Sequence, residues 1–140
     1  TAPPPCWLLD GCVLAPLALS THPHHQKARH WFVRTRPVTF ATCAITEGTL
    51  LRLSMQAAAA PSATAAWAAL RSMSEHPDHV FWDDSFSYLE IDPAGLFGHR
   101  QVTDAWLAQL ARRRGGRVAT LDAAFAQKHP DVATLSDLPV

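Results

Sequence analysis

Short apolar runs alternate along the chain with longer segments in which apolar residues recur every three or four positions. Runs such as CWLLD and VTFAT are too short and too uniformly apolar for a half-exposed strand, so they predict strands buried on both faces. The predicted strands cover residues 6–10, 38–42, 79–82, 117–122 and 132–137. Helical periodicity between them predicts helices at residues 13–20, 23–34, 45–55, 62–76, 85–90 and 101–114.

This order of elements predicts a fold class. Buried strands that are separated by helices indicate an α/β fold with a central parallel sheet of about five strands and helices on both of its faces. We find no internal repeat and no change of composition that marks a second domain. Residues 1–140 are therefore predicted to form a single domain, with residues 1–5 as a flexible lead-in.

Composition narrows the class of protein. The chain is 48% hydrophobic and 17% charged, which suits a globular domain with a core of ordinary size. It contains neither an apolar stretch long enough to span a membrane nor the pattern of a signal peptide, so we expect a cytoplasmic protein. Its 12 basic and 12 acidic residues balance, which argues against nucleic-acid binding by bulk charge alone.

Carboxylates stand where predicted strands end. Asp10 closes CWLLD and Asp122 closes RVATLD, more than a hundred residues later. Glu47 lies just after the strand VTFAT, and Asp104 lies in the first turn of the helix at 101–114. Because ligands of open parallel sheets collect outside the carboxyl ends of the strands, we expect these four acids to converge on one edge.

A structural explanation exists for each acid alone, since aspartate often caps a helix and acids in a first turn favour the helix dipole. Glu47 and Asp104 fit it less well, because the third and fourth residues after each are apolar and no basic residue precedes either in its helix. Clustered carboxylates without cations repel one another and acquire raised pKa values. An all-oxygen set of ligands favours Mg²⁺ or Mn²⁺ over zinc, and such sites support phosphodiester hydrolysis.

The chain resembles the PIN-domain ribonucleases and, within them, the VapC toxins of bacterial toxin–antitoxin pairs. The resemblance covers nearly the whole chain and rests on WLLDGCVLAPL, HPHHQKARHWF, FATCAITEGTLLRL and GHRQVTDAWLAQLARRRGGRVATLD, in that order. GHRQVTDAWL is the most specific of these pieces. The resemblance implies a PIN-like three-layer sandwich, a Mg²⁺- or Mn²⁺-dependent endoribonuclease acting on RNA, a homodimer, and inhibition by a VapB-like antitoxin whose C-terminal tail enters the active-site groove.

The resemblance also implies roles for individual residues. The acidic quartet of the family falls on Asp10, Glu47, Asp104 and Asp122. Thr46 matches the hydroxyl residue that often precedes the glutamate, and Cys12 stands where the family usually has asparagine. A thiol is a weaker hydrogen-bond donor than an amide, so we expect poorer ordering of Asp10 and reduced nuclease activity.

Basic residues near the acids offer candidates for contacts with RNA. His99 and Arg100 directly precede the helix of Asp104, where they could meet phosphate. Arg112, Arg113 and Arg114 lie at the other end of that helix. There we favour a solvated helix end that complements the dipole over an RNA contact.

Two functional classes stay open. The first is a metal-dependent endoribonuclease toxin that a cognate antitoxin neutralises. The second is a catalytically weak or inactive PIN-like module that acts mainly through antitoxin binding, because Cys12 has impaired the site. A phosphate-handling receiver or phosphatase ranks below both, since no lysine ends a late strand to offset phosphoryl charge.

Overall fold

A computed structural model describes residues 6–35, 39–57 and 62–135 of the chain. Within these residues the strands are β1 Trp7–Leu9, β2 Phe40–Thr42, β3 His79–Phe81, β4 Arg117–Thr120 and β5 Ala133–Leu135. The α-helices are α1 Gly11–Ala18, α2 His25–Thr35, α3 Ala44–Ala57, α4 Ala63–Ser74, α5 Gln101–Arg114 and α6 Ala123–Lys128. A short 3-10 helix covers Tyr88–Glu90.

The strands form one parallel sheet in the order β3-β2-β1-β4-β5. Strands β2 and β3 lie on one side of β1, and β4 and β5 lie on its other side. The strand order therefore reverses between β1 and β4, and a reversal of this kind opens a crevice at the carboxyl edge of the sheet. The predicted α/β architecture is confirmed, and the reversal lies between the two strands that Asp10 and Asp122 follow.

Apolar side chains pack on both faces of the sheet. Leu8 and Leu9 are both fully buried although successive strand residues point to opposite faces, which explains why β1 has no polar alternation. Leu8 packs in a cluster with Trp106 and Leu110 of α5. Leu9 packs in a second cluster that includes residues of α1, α2 and α3. The sheet is thus the middle layer of three.

Several predicted boundaries shift by a few residues. Helix α1 begins at Gly11 rather than at residue 13, because the carboxylate of Asp10 accepts a hydrogen bond from the Gly11 N–H at 2.8 Å. The helix predicted at 85–90 is reduced to the 3-10 helix, whose start Ser87 caps. The predicted lead-in at 1–5 and the last two residues of the strand at 132–137 lie outside the described residues.

None of the helices described is long and apolar enough to cross a membrane.

Helices α1 and α3, which begin beside Asp10 and Glu47, approach each other closely. A Cβ atom at Gly11 would lie 2.3 Å from Cγ2 of Thr49, so glycine is required at this contact. This packing brings the starts of the two helices to the same edge of the sheet.

Candidate active site

Asp10 and Asp122 follow the adjacent strands β1 and β4, and each caps the helix that comes next. Asp10 Oδ1 accepts from the N–H of Gly11, and Asp122 Oδ1 accepts from the N–H groups of Ala124 and Phe125 at 2.9 and 3.2 Å. Both acids therefore have the helix-capping role that the structural explanation assigns to them. This role employs one oxygen of each carboxylate, and Oδ2 of Asp10 is directed to other partners.

A buried threonine joins the two strand ends. Thr120 is fully buried; its hydroxyl donates to Asp10 Oδ2 at 2.7 Å and accepts from the N–H of Asp122 at 3.0 Å. This residue ends β4, two positions before Asp122. The orientation of Asp10 and the position of the Asp122 backbone are thus fixed by the same hydroxyl group.

Cys12 also contacts Asp10. Its thiol donates to Asp10 Oδ2 at 3.5 Å and accepts from the N–H of Leu121 at 3.2 Å. Burial, and after it the charge of Asp10, raises the pKa of the thiol to about 11, so at neutral pH the sulfur carries its proton. Asp10 therefore has three donors, from Gly11, Cys12 and Thr120, and the thiol is only one of them.

Asp104 lies in the first turn of α5 and is partly buried. Its pKa is raised to about 6, first by burial and then by the charges of Asp10 and Asp122. Asp10 and Asp122 therefore act electrostatically on Asp104, and these three residues are called the aspartate cluster below. Among the residues that the structure describes, no lysine or arginine forms an ion pair with any of them.

Glu47 is held by a different set of contacts, on the side of β2. Its Oε2 accepts a hydrogen bond from the hydroxyl of Thr42 at 2.8 Å, and the same hydroxyl lies 2.7 Å from Nε2 of His79. Thr42 is fully buried at the end of β2. A strand-ending threonine thus orients Glu47 as Thr120 orients Asp10.

The other predicted site residues, Thr46, His99 and Arg100, lie at the starts of α3 and α5. Thr46 is buried, and its hydroxyl accepts from the N–H of Cys43 and donates to the Cys43 carbonyl, so it closes the start of α3. His99 and Arg100 are exposed in the turn directly before α5, about one helical turn ahead of Asp104. Sequence reasoning did not include Thr42 and Thr120, although a threonine ending a buried strand beside an acid is a usable signal.

The donor set fits a hard divalent cation. In the arrangement described, no three histidine, cysteine, aspartate or glutamate side chains among the described residues are close enough to enclose one ion. Mg²⁺ does not require such an enclosure, because it usually keeps several waters and binds through one or two carboxylates and substrate phosphates. Protonated Cys12 is a poor ligand, which disfavours softer metals.

The far end of α5 has the opposite character. Three consecutive arginines there pair with acids from other segments of the chain, and the pairs are Arg112 with Asp131, Arg113 with Glu90, and Arg114 with Asp83. Arg112 makes two bonds to its partner, of 2.6 and 3.0 Å. These pairs support the structural interpretation of the basic run.

Sequence comparison assigns the chain to a family, although no family model matches it. Ribonuclease VapC29 of Mycobacterium tuberculosis is 43% identical over 128 residues, which cover 91% of this chain and 94% of that protein. The chain belongs to the VapC ribonuclease family. A second VapC relative from the same organism, ribonuclease VapC38, is 39% identical over 129 residues that cover 88% of this chain and 92% of its own length.

Solved structures of VapC proteins share the fold. The VapC20 toxin of Mycobacterium tuberculosis, described as cleaving the sarcin–ricin loop, superimposes with a TM-score of 0.61 at 14% identity and covers 87% of this chain and 94% of its own. VapBC2 of Rickettsia felis, bound to promoter DNA, matches with a TM-score of 0.61 at 12% identity over 92% of this chain and 97% of its own. At these identities the matches show the fold alone, and the resemblance to VapC architecture is confirmed.

Proposed function

We propose that this VapC chain is a divalent-metal-dependent endoribonuclease, the toxin of a VapBC-type pair, and that Asp10, Glu47, Asp104 and Asp122 form its active site. The observation that carries the proposal is the aspartate cluster. It lies where the strand order reverses, it has no basic partner among the described residues, and the pKa of Asp104 is raised to about 6. A cation is the ligand that such a charge distribution favours.

RNA as the substrate class rests on family membership, since the relatives at 43% and 39% identity are ribonucleases. When bound, Mg²⁺ or Mn²⁺ supplies the acidity that turns water into a nucleophile and offsets the charge that develops on the phosphate. Asp10, Asp104 and Asp122 would hold the ion, one or two of them directly and the rest through its waters. Glu47, held by Thr42 on the side of β2, would complete this set of carboxylates and would reach the ion directly or through one of its waters.

The protein groups around the acids have positioning roles in this mechanism. Thr120, Cys12 and the N–H of Gly11 keep Asp10 in one orientation, so little reorganisation is needed when the site is loaded. His99 and Arg100 are exposed beside the start of α5, and we assign them to contacts with RNA phosphates. Thr46 supports Glu47 indirectly, because it closes the helix start that carries this acid.

One observation favours a second candidate, a catalytically weak PIN-like module that acts mainly through antitoxin binding. Cys12 offers Asp10 only a long thiol contact of 3.5 Å in place of an amide hydrogen bond. Thr120 donates to the same carboxylate oxygen at 2.7 Å, which compensates in part. We therefore rank the active nuclease first and expect its rate to be limited by Cys12.

The proposed partners are a VapB-like antitoxin and a second copy of the chain. Large apolar side chains are exposed on several surfaces, including Val33, Trp67, Leu89 and Phe97. A partner could bury apolar groups of this size, and the matching structure from Rickettsia felis is a VapBC complex. Light scattering at high micromolar concentration should find a dimer, and a monomer would contradict this part of the proposal.

The decisive experiment compares RNA cleavage by the parent chain and by Asp104→Asn. The substitution removes one charge at nearly constant shape, so it should reduce EDTA-sensitive cleavage of a structured RNA by ~1000-fold or more. Asp92→Asn is the matched control, because Asp92 is exposed and accepts only a local bond from the Ala94 N–H. Circular dichroism verifies the fold of both variants.

Two results would overturn the nuclease mechanism: parent cleavage that persists in EDTA, and cleavage that survives in Asp104→Asn. A parent that is inactive but binds its antitoxin would favour the second candidate instead. Loss of activity in the Asp92→Asn control would show that the assay responds to any change of charge.

A further inference from the structure

Glu47 is connected to the edge strand β3 by two consecutive hydrogen bonds through a buried side chain. Thr42 Oγ1 lies 2.8 Å from Glu47 Oε2 and 2.7 Å from His79 Nε2. In the parallel register of β2 and β3, Phe40 pairs with His79 and Thr42 pairs with Phe81. His79 and Thr42 therefore lie on the same face of the sheet, two residues apart along the strands.

The direction of both bonds follows from the chemistry of the groups. An ionised carboxylate only accepts, so the single hydroxyl proton of Thr42 is donated to Glu47. Thr42 Oγ1 can then interact with His79 Nε2 only as an acceptor, which requires a proton on Nε2. Burial lowers the pKa of His79, with the charge of Glu47 acting in the opposite direction, and this favours the neutral ring. Because Nε2 must donate, the neutral ring is the Nε2–H tautomer.

Packing keeps the imidazole in place. The ring of His79 makes an edge contact with Phe40, with the two ring centroids 5.3 Å apart. Phe40 is itself only 1% exposed and belongs to the core beneath α2. The donor that reaches Thr42 is thus fixed by the core of the sheet, whereas the glutamate side chain has several rotatable bonds of its own.

We propose that Thr42 and His79 are positioning residues that hold the Glu47 carboxylate for the metal-dependent cleavage described above. This inference rests on the proposed function, because it assigns these residues a role only through Glu47. Thr120 orients Asp10 in the same manner. At Glu47, however, the series of hydrogen bonds continues for one more residue, to a histidine outside the acidic quartet. Groups that orient a metal-site carboxylate typically contribute ~10–100-fold to metal affinity or activity.

A purely structural role makes a different prediction. A buried hydroxyl needs a hydrogen-bond partner, and Glu47 provides one for Thr42 whether or not Glu47 has a role in metal binding. On that view, removal of the hydroxyl would lower stability without changing how the folded chain binds metal. The test must therefore measure metal affinity separately from stability and from cleavage.

The experiment measures Mn²⁺ affinity by calorimetry in the full chain without RNA. Thr42→Val removes the hydroxyl but keeps the shape of the side chain, and it should weaken Mn²⁺ binding by ~10-fold or more relative to the parent. His79→Leu removes the N–H donor to Thr42 and should weaken Mn²⁺ binding by a smaller factor. Thr42→Ser and His79→Gln restore a hydroxyl and an N–H donor, and both should bind within about 3-fold of the parent. The double variant that combines Thr42→Val with His79→Leu should bind Mn²⁺ as tightly as Thr42→Val alone, because both substitutions act through the same series of hydrogen bonds.

Thr49→Val is the matched control, since this threonine lies on α3 with Glu47, and its hydroxyl donates to the Ile45 carbonyl and accepts from Arg52 rather than contacting a carboxylate. It should leave Mn²⁺ affinity unchanged. Thermal unfolding of every variant separates stability from binding. If Thr42→Val does not fold, the two His79 variants decide the matter, because His79 is partly exposed and its replacement disturbs the core less.

The outcomes separate this inference from the proposed function. A parent that binds Mn²⁺ and cleaves RNA, with Thr42→Val and His79→Leu binding equally well, would overturn the positioning role alone. A parent that binds no Mn²⁺ would overturn both proposals. Weak binding in Thr42→Val and His79→Leu, with recovery in Thr42→Ser and His79→Gln, would establish the role.

Discussion

The two ends of helix α5 carry opposite charges and treat them in opposite ways. At its start, Asp104 is partly buried, lies in the field of two other aspartates, and has no basic partner among the described residues. At its end, three consecutive arginines each pair with a carboxylate. Both ends agree with the helix dipole, which favours acids at the start and bases at the end, so the dipole does not distinguish them.

Partners make the difference between the two ends. The arginines are neutralised within the chain, and exposed pairs of this kind contribute about 0–1 kcal/mol each. The aspartate cluster is not neutralised within the described part of the chain, and the burial of Asp104, together with its repulsion by Asp10 and Asp122, lowers stability in the absence of a ligand. An external cation would complete such an arrangement, which is why we propose that function lies at the start of α5 and structure at its end.

After the loss of cleavage in Asp104→Asn, the largest expected effect concerns metal binding at the acidic end. Mn²⁺ affinity of the parent should fall ~10-fold between pH 7 and pH 5, because a proton competes for Asp104, whose pKa of about 6 lies within this range. Calorimetry at both pH values measures the change. Affinity that is independent of pH, or no binding at millimolar Mn²⁺, would remove the contrast between the two ends.

The second effect concerns the orientation of Asp10. Cys12→Asn replaces the thiol by an amide that can donate to Asp10 and accept from the Leu121 N–H, so cleavage should rise by up to ~10-fold. Cys12→Ala, which removes both contacts, is the matched control and should lower the rate. Initial rates on one structured RNA provide the comparison, and a faster Cys12→Ala variant would mean that the thiol obstructs the site.

The third effect concerns stability without metal. The pKa of Asp104 is raised from 3.8 to about 6, so the folded chain binds this proton more tightly than the unfolded chain does. The stability that this proton contributes is complete below about pH 3.8 and is lost as the pH rises through about 6. Asp104→Asn should therefore raise the metal-free free energy of unfolding at pH 7 by ~1–2 kcal/mol, allowing for solvent screening.

Urea unfolding in EDTA at pH 7 and at pH 4 tests that prediction. The gain in Asp104→Asn should be present at pH 7 and should nearly vanish at pH 4, where the parent is already protonated at Asp104. Asp92→Asn should show no such pH-dependent difference. An equal gain at both pH values would mean that the negative charge of Asp104 is not its source.

Much of the acidic end could be predicted from sequence, because its signals are local. Asp10 and Asp122 directly follow apolar runs, and the parallel arrangement of those runs brings their ends together. The strand ends differ by one or two residues from prediction, since the acids leave the sheet to cap helices. Local patterns thus predicted the placement of the acids better than the limits of the strands.

The contacts around the acids could not be predicted, because they depend on register and on distant segments. The link from Glu47 to His79 requires β2 beside β3 in one register, which the order of residues does not specify. The partners of Arg112, Arg113 and Arg114 lie 19, 23 and 31 residues away along the chain. Whether a charge is neutralised is therefore a property of the folded chain.

The smallest expected effect lies at the basic end. The two bonds between Arg112 and Asp131 join side chains that are 34% and 56% exposed, so solvent screens the pair. Arg112→Gln and Asp131→Asn should each lower the free energy of unfolding by less than ~1 kcal/mol at pH 7. A double-mutant cycle in urea gives the coupling, which should weaken in high salt.

The pH dependence of this pair has the opposite sign to that of Asp104. The hydrogen bonds from Arg112 lower the pKa of Asp131, so the stability that the pair contributes is present above the ordinary value of 3.8 and is lost as the pH falls through the lower folded value. The deficit of Asp131→Asn should therefore shrink in acid. Cleavage by Arg112→Gln should stay within about 2-fold of the parent. A folded Arg112→Gln variant without activity would place function at both ends of α5 and break the distinction between them.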